Sequence, residues 1–394
     1  MGSTSAATSL TTSTQLALRL RHQLITATPA APASPSKPAT TASLAPQRTT
    51  VQTTPTDVVR HLLAMQAQDF EHALWAVALR TAAAPGGPTA SRASVLSALA
   101  SGEVVRAAPL RGTLHFVTSD DLRWITALTA ERTLAQTATR TRQLGLDESI
   151  LRRAADIAEA ALSGGGAMQR SEFFALLEGA GISPAGQRGY HVIFHLCQIG
   201  LLCWGPPKGT QQALVLVDEW IPATRDRDRD EALGELVTRY IAGHGPATVA
   251  DVAWWSKLTL TDIRRGIEVA GGALESRGSR KSDDAELWLT AGVTEAVARP
   301  SGVHLLPGFD EYLLGYTDRT LALEAEFAQR VVPGNNGMFM PMVVSRGRIV
   351  GTWRRPAKQG GAVTAEPFTS FTAAEQSGID RESARFARYA QPSS

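Results

Sequence analysis

Two glutamines on either side of one small apolar residue, Gln66-Ala67-Gln68, are the residues whose types and spacing best suit chemistry. They end a segment with apolar residues at helical spacing, such as Leu62 and Leu63, in which position 66 would face inward. An inward-facing amide without a partner costs about 1–3 kcal/mol, so we expect a hydrogen bond to it. The partner is either a neighbouring loop, in a purely structural role, or a water molecule or sugar held by both amides.

Residues two positions apart on an α-helix point about 200° apart, so Gln66 and Gln68 can share a site only where the helix ends. We predict a helix that starts near Thr56, reaches Gln66 and ends there. Asp69 favours this break because aspartate caps helix N-termini, and the apolar spacing after it predicts a second helix over 70–80. The two amides would then lie at a helix-turn-helix corner.

A second polar group lies on a strand predicted over residues 110–117. Since side chains alternate along a strand, Arg111, Thr113 and His115 would share one face. Beside the glutamine corner, that face could contact phosphate. A solvated wing without a ligand fits the same pattern.

A basic hairpin is predicted over residues 339–356, with strands MVVS and RIVGTWR joined at Arg346 and Gly347. Such a hairpin can enter a DNA groove or follow phosphates, although a plain surface hairpin fits its charge equally well. Trp353 is more typical of a core aromatic than of a wedge between bases. The basic residues around this hairpin are Arg346, Arg348, Arg354, Arg355 and Lys358.

Several other residues have ordinary structural explanations. Asp310 and Glu311 are adjacent, and one of them could act as a general base, but such residues more often cap turns. The pair Trp254-Trp255 is expected to pack at a domain junction, and His244, before Gly-Pro, to lie in a turn. The glutamine pair therefore remains the main catalytic candidate.

The composition is that of an ordinary globular protein: 394 residues, 43% hydrophobic, 19% charged, with a net charge of +2. This mild basic excess permits a nucleic-acid partner without requiring one. Cys197 and Cys203 show neither zinc spacing nor a disulfide framework, and the histidines show no metal motif. Without a nucleotide-binding motif, a signal peptide or a long apolar run, we expect a cytoplasmic protein with no metal or other cofactor.

The element order helix, turn, helix, helix, strand is typical of a winged helix-turn-helix unit, and it recurs along the chain. We therefore predict a mainly α fold with small β wings, built from three tandem winged-helix units and a C-terminal β-rich region with a final helix. The predicted parts are a disordered N-terminus (1–12), a first unit (13–130) with a flexible Pro-rich insertion (27–55), a second unit (131–240), a third unit (241–300) and the C-terminal region (301–394).

Five segments together resemble the winged-helix DNA glycosylases related to AlkZ and YcaQ. They are QAQDFEHALWAVALR, VVRAAPLRGTLHFV, HGPATVADVAWWS, LLPGFDEYLLGYTDR and GRIVGTWRR. The resemblance covers most of residues 13–390, and the insertion 27–55 is this chain's own addition. It implies a C-shaped arrangement around a DNA channel and removal of N7-alkylated purines, with Gln66 and Gln68 as the catalytic element. The Gln-x-Gln form resembles the branch that unhooks interstrand crosslinks or clears bulky natural-product adducts, often as self-resistance.

The chemistry expected of two amides agrees with this resemblance. An N7-alkylguanine is cationic, so its glycosidic bond is already weakened and the departing base needs no protonation. Two amide oxygens can position a water molecule below C1′ and direct negative dipole ends at the cationic sugar. No lysine adjoins the pair in sequence, which favours a monofunctional glycosylase without Schiff-base chemistry.

We expect a monomer that binds double-stranded DNA carrying alkylated purines and does not bind membranes. Two other functions remain as alternatives. One is a non-catalytic winged-helix regulator, although such proteins usually carry one unit per chain and bind as dimers. The other is a protein that sequesters the toxic small molecule itself, for which an Arg-rich hairpin has little use.

Overall fold

The computed structural model describes residues 10–26, 53–81, 89–208, 211–277, 286–293, 297–335, 337–356 and 361–391. Within these ranges the protein is mainly α-helical with small antiparallel sheets, as predicted. Most of the segments predicted as disordered (1–12) and flexible (27–55) lie outside the described residues. The described residues at the end of each segment differ from the prediction. Leu10 is buried, and Thr54 caps a helix that begins at Pro55.

The helices of the first half of the chain are α1 (Thr12–His22), α2 (Pro55–Leu62), α3 (Phe70–Leu79), α4 (Arg92–Ala100), α5 (Ser119–Gln143), α6 (Glu148–Leu162), α7 (Arg170–Gly179) and α8 (Arg188–Gln198). Those of the second half are α9 (Val217–Trp220), α10 (Arg229–His244), α11 (Val249–Ser256), α12 (Leu260–Ala270), α13 (Glu311–Leu314), α14 (Ala328–Val331) and α15 (Ala373–Tyr389). The capping box predicted for the last helix is confirmed, since Thr372 and Glu375 bond each other's backbone N–H groups.

The strands are β1 (Met65–Gln66), β2 (Val104–Leu110), β3 (Thr113–Thr118), β4 (Leu202–Lys208), β5 (Gln211–Leu216), β6 (Leu274–Arg277), β7 (Leu287–Thr290), β8 (Val303–Leu306), β9 (Met342–Ser345), β10 (Arg348–Arg354) and β11 (Thr364–Pro367). They form a five-stranded sheet in the order β1-β3-β2-β4-β5, a four-stranded sheet in the order β11-β10-β9-β8 and the pair β6-β7.

The five-stranded sheet joins two hairpins from different parts of the chain. The hairpin β2-β3 meets the hairpin β4-β5 where Arg106 lies opposite Trp204. The short strand β1 pairs with β3 at the free edge, with Gln66 opposite His115. The segment that carries the glutamine pair is thus an edge strand of this shared sheet.

The predicted C-terminal hairpin is confirmed in its strands and its turn. β9 and β10 are joined at Arg346 and Gly347, whose φ angles are +50° and +81°. Trp353 is buried, and its Nε1 donates to the carbonyl of Leu306 at 2.7 Å, so it is a core aromatic and not a surface wedge.

One apolar core joins the beginning of the chain to its end. Trp75 on α3 packs edge-on against Phe386 on α15 at 5.1 Å between ring centroids, and Trp353 contacts the same ring at 5.3 Å. A fully buried ion pair lies in this region, with Arg80 Nη2 2.8 Å from Asp310 Oδ1 and Nη1 2.9 Å from Oδ2. The shared core and this pair hold the start of α13 against α3, next to the glutamine segment.

Candidate active site at the sheet edge

Gln66 lies at the end of strand β1 and not at the end of a helix, and Gln68 lies in the bend that leads to α3. α2 ends at Leu62, four residues earlier than predicted, because Leu63 adopts a φ of +67° that no helix continues. The chain then extends as β1, and the N–H of Ala67 donates to the carbonyl of Leu114 at 2.7 Å. Gln66 is the last residue of β1, the buried Ala67 follows it, and Gln68 lies in a bend just before Asp69, the N-cap of α3.

Hydrogen-bond donors of the protein fix the orientation of both amide groups. Arg111 Nη2 donates to Gln66 Oε1 at 3.2 Å, and the backbone N–H of Leu114 donates to Gln68 Oε1 at 3.2 Å. Because these groups can only donate, the amide oxygens must face them. Each oxygen keeps one lone pair, and each NH2 group points away from its donor.

Arg106 holds the backbone of the same segment. Its Nε donates to the carbonyl of Ala67 at 2.9 Å and its Nη2 to the carbonyl of Gln68 at 3.2 Å. Its guanidinium also lies 5.2 Å from the centroid of the Phe70 ring, and burial lowers its pKa to about 10, so it remains charged. Nothing in the sequence distinguishes this arginine from others, so its role could not be predicted.

The single strand predicted over 110–117 is wrong. It consists of β2 and β3 joined by a two-residue turn, in which Arg111 has a φ of +57° and Gly112 a φ of +68°, as a type I′ hairpin turn requires. Arg111 therefore does not alternate with Thr113 and His115. An arginine at positive φ is uncommon, which is why the pattern suggested an unbroken strand.

Arg111 and His115 nevertheless meet, as buried partners of Gln66. The Arg111 side chain is only 7% exposed, and its Nη2 lies 2.9 Å from His115 Nε2 while its Nη1 donates to the carbonyl of Trp255 at 2.9 Å. Burial, with the charge of Arg111, lowers the pKa of His115 to about 3. His115 is thus neutral: Nε2 accepts from Arg111 and Nδ1 donates to the carbonyl of Thr113 at 2.8 Å. Thr113 itself is half-buried.

Glu311 lies directly behind Gln66. It is 1% exposed, and its Oε1 accepts the backbone N–H of Gln66 at 3.1 Å and lies 3.9 Å from Arg111. Burial alone would raise the pKa of this carboxyl, but His244 and Arg111 outweigh burial and lower the pKa to about 2. The sequence predicted that Glu311 either caps a turn or acts as a general base. The turn cap is its neighbour Asp310, which accepts the N–H of Tyr312.

A group of cations without acidic partners surrounds a half-buried tryptophan near Arg111. Arg319 is 5.2 Å from the Trp254 ring and 5.0 Å from the Phe339 ring, and Lys257 Nζ is 5.5 Å from the Trp254 ring. Arg132 adjoins them, with its Nε donating to the carbonyl of Lys257. Among the described residues, none of these three cations has a carboxylate within 4 Å.

The predicted basic hairpin is exposed, but its cations are divided between two ends of β10 and mostly paired. Arg348 lies 3.9 Å from Glu324, Arg354 3.5 Å from Glu366, and Arg355 3.8 Å from Glu71, while Arg346 is exposed at the turn. Arg348 and Arg354 are separated by about 20 Å of strand. Only Arg355 reaches α3, the helix that follows the glutamine pair. Lys358 lies outside the described residues.

Neither a metal cluster nor a membrane helix is found in the part of the chain that the structure describes. No group of three or more His, Cys, Asp or Glu side chains is arranged to hold a metal ion there. Within the same ranges, every helix is too short or too polar to cross a membrane.

The fold is mainly helical with small β-hairpins, and the candidate catalytic groups are two neutral amides beside the edge of a sheet. The family model described as DNA glycosylase AlkZ-like matches residues 59–389, and the chain belongs to this family. It is therefore a DNA glycosylase, an enzyme that breaks the bond between a base and its sugar, as the sequence resemblance predicted.

Two similar proteins come from Streptomyces sahachiroi. An interstrand DNA cross-link repair glycosylase is 26% identical over 349 residues, which cover 86% of this chain and 91% of the relative. The solved structure of Streptomyces sahachiroi DNA glycosylase AlkZ is 24% identical, with a TM-score of 0.73 over 98% of this chain and 97% of that one. The second match shows the shared fold.

Proposed function

We propose that this glycosylase hydrolyses the N-glycosidic bond of N7-alkylated guanine in double-stranded DNA, including bulky natural-product adducts or interstrand crosslinks, for repair or self-resistance. It acts as a monofunctional monomer without a cofactor. The observation that carries the proposal is the pair of amides, Gln66 and Gln68, at the end of an edge strand with both oxygens held by protein donors. The curated relative, a cross-link repair glycosylase, supports crosslinks as part of the substrate range.

The proposed reaction needs positioning and charge stabilisation more than proton transfer. Alkylation at N7 leaves a cationic base that departs as a neutral leaving group, while positive charge develops on the sugar. The free lone pairs of Gln66 and Gln68 accept hydrogen bonds from one water molecule and orient it toward C1′. The pKa of His115 is lowered to about 3 and that of Glu311 to about 2, so both are weak proton acceptors and neither is the base in this proposal. The water that adds to C1′ loses its proton to the solvent.

The tandem winged-helix units (13–130, 131–240 and 241–300) in a C-shape around a DNA channel remain part of the proposal. The helix pairs α7-α8 and α11-α12 and the hairpins β2-β3 and β4-β5 support it. Beside the site the proposed DNA contact is Thr113, because Arg111 and His115, which the sequence analysis grouped with it, are buried and bond protein groups. On the C-terminal hairpin the proposed DNA contacts are Arg346, Arg348, Arg354 and Arg355. We add Lys257 and Arg319, because cations without acidic partners are the best phosphate ligands.

A salt titration tests this addition. Lys257→Ala and Arg319→Ala are each expected to reduce the magnitude of the slope of log K against log[salt] for duplex binding by about 0.9, since each removes one phosphate contact. The control is Arg152→Ala, which removes an exposed arginine paired with Glu148 on α6 and should leave the slope unchanged. Unchanged slopes in both test variants, with a lower slope in Arg348→Ala or Arg354→Ala, would move the phosphate contacts to the hairpin.

The activity itself is tested on three substrates: duplexes with one N7-methylguanine, duplexes with one bulky N7-guanine adduct, and duplexes with an N7-guanine interstrand crosslink. After incubation, alkali cleaves any abasic site, and a denaturing gel reports strand cleavage or unhooking. We expect cleavage that depends on alkali, because a monofunctional enzyme leaves the abasic strand intact. Intact strands with all three substrates, despite DNA binding, would refute N7-guanine as the lesion.

A further inference from the structure

Glu311 is a buried carboxylate that lies beside polar groups from four separate parts of the chain. Its Oε1 accepts the N–H of Gln66 at 3.1 Å and lies 3.9 Å from Arg111 Nη2. Its Oε2 accepts Trp255 Nε1 at 2.8 Å and lies 3.4 Å from His244 Nε2. These groups belong to β1, the β2-β3 turn, α11 and α10, so this one carboxylate joins the elements that meet behind the site.

The contacts of Glu311 fix both the backbone and the side-chain amide of Gln66. The carboxylate holds the backbone N–H directly. It reaches the side chain through Arg111, which lies beside Glu311 Oε1 and donates from Nη2 to Gln66 Oε1 at 3.2 Å. Because Arg111 can only donate, it sets which end of the amide faces the protein and which faces outward.

Glu311 also balances the charge of Arg111. An arginine with a 7% exposed side chain is an uncompensated buried cation unless a carboxylate lies beside it, and among the described residues Glu311 is that carboxylate. The pair thus keeps Arg111 buried beside Gln66, where its Nη2 bonds the amide oxygen.

We propose that Glu311 is a positioning residue for catalysis: it fixes the backbone of Gln66 directly and the orientation of the Gln66 amide through Arg111. This inference rests on the proposed function of Gln66. Glu311 does not contact the DNA or the water molecule. Its effect passes through Gln66.

The main test is Glu311→Gln, which keeps the shape and removes the charge. A glutamine has one acceptor oxygen where Glu311 uses two, so either the Gln66 side or the Trp255 side loses its acceptor. We expect single-turnover base release to fall at least about tenfold, with duplex affinity within about threefold of wild type. Glu382→Gln, at a buried glutamate on α15 that pairs with Arg385, is the matched control and should leave release unchanged.

A double-mutant cycle separates positioning from a general loss of structure. If Glu311 acts through Gln66, Glu311→Gln should cause no further loss of release in the Gln66→Ala background. A loss that multiplies in the double variant would overturn the proposal. Should Glu311→Gln fail to fold, Arg111→Lys tests the same link, since lysine offers one nitrogen where Arg111 uses two to bond the Trp255 carbonyl and Gln66.

A readout independent of activity distinguishes this inference from the proposed function. In protein labelled with 15N at glutamine side chains, the Gln66 amide signal is assigned by its loss in Gln66→Ala. Glu311→Gln or Arg111→Lys should shift that signal, while Glu382→Gln should not. An unshifted Gln66 signal overturns the positioning role, whereas absence of base release by the wild type refutes the proposed function.

Discussion

Replacing both Gln66 and Gln68 by alanine is expected to lower single-turnover release of an N7-alkylguanine at least about 100-fold, with duplex affinity nearly unchanged. Removal of one group that stabilises transition-state charge commonly costs about 100- to 1000-fold in rate, and this variant removes both amides. The measurement is alkali-dependent strand cleavage under excess enzyme, paired with binding to undamaged duplex.

The control for this pair is Gln376→Ala, at an exposed glutamine on α15 whose amide bonds only Asp380 on the same helix. The single variants should also differ in stability. Gln68→Ala leaves the N–H of Leu114 without its acceptor and costs about 1 kcal/mol, whereas Gln66→Ala leaves Arg111 with its other partners. Full release by the double variant would show that the catalytic group is elsewhere.

Loss of the Arg80–Asp310 pair is expected to be the largest single effect on stability. Asp310→Ala leaves the Arg80 guanidinium buried and uncompensated, which costs about 3–5 kcal/mol, a large fraction of the free energy of unfolding of a typical domain. The measurement is the midpoint and slope of urea unfolding, followed by circular dichroism.

An exposed pair provides the comparison for this prediction. Glu324→Ala removes the partner of Arg348 at 3.9 Å, where both side chains are about half exposed, and should cost less than about 1 kcal/mol. Equal losses in the two variants would mean that the buried pair contributes no more than a surface one.

The local sequence was sufficient to predict those features of the structure that depend only on neighbouring residues. The cap at Asp69, the turn at Arg346-Gly347 and the capping box at Thr372 were all predicted and are confirmed. Each depends on hydrogen bonds or backbone angles within a few residues, which single-residue preferences describe well.

The sequence misled where a residue adopts an unfavourable angle. Leu63 and Arg111 both have positive φ, an uncommon state for residues with a side chain, so the pattern predicted a longer helix and a longer strand than the structure has. The early end of the helix lets the chain extend as β1, which places Gln66 on the sheet edge opposite His115, with Gln68 two residues beyond.

The surroundings of the pair could not be predicted because they come from distant parts of the chain. Glu311, Arg106 and Trp255 touch the glutamine segment or its partners through tertiary contacts. The acidic residue in FDEY was visible, but its role depends on the packing of α13 against α3. No local pattern carries that information.

The bond between Gln66 and Glu311 also has a consequence for synthesis, because it spans 245 residues. At about 5–20 residues per second, the ribosome needs roughly 12 to 50 s to add Glu311 after Gln66. Through that interval the emerging glutamine segment lacks its carboxylate, and the core it shares with α15 is absent as well. A nascent chain therefore carries the amide pair without the residues that position it. Base release should begin only after synthesis of the chain is complete.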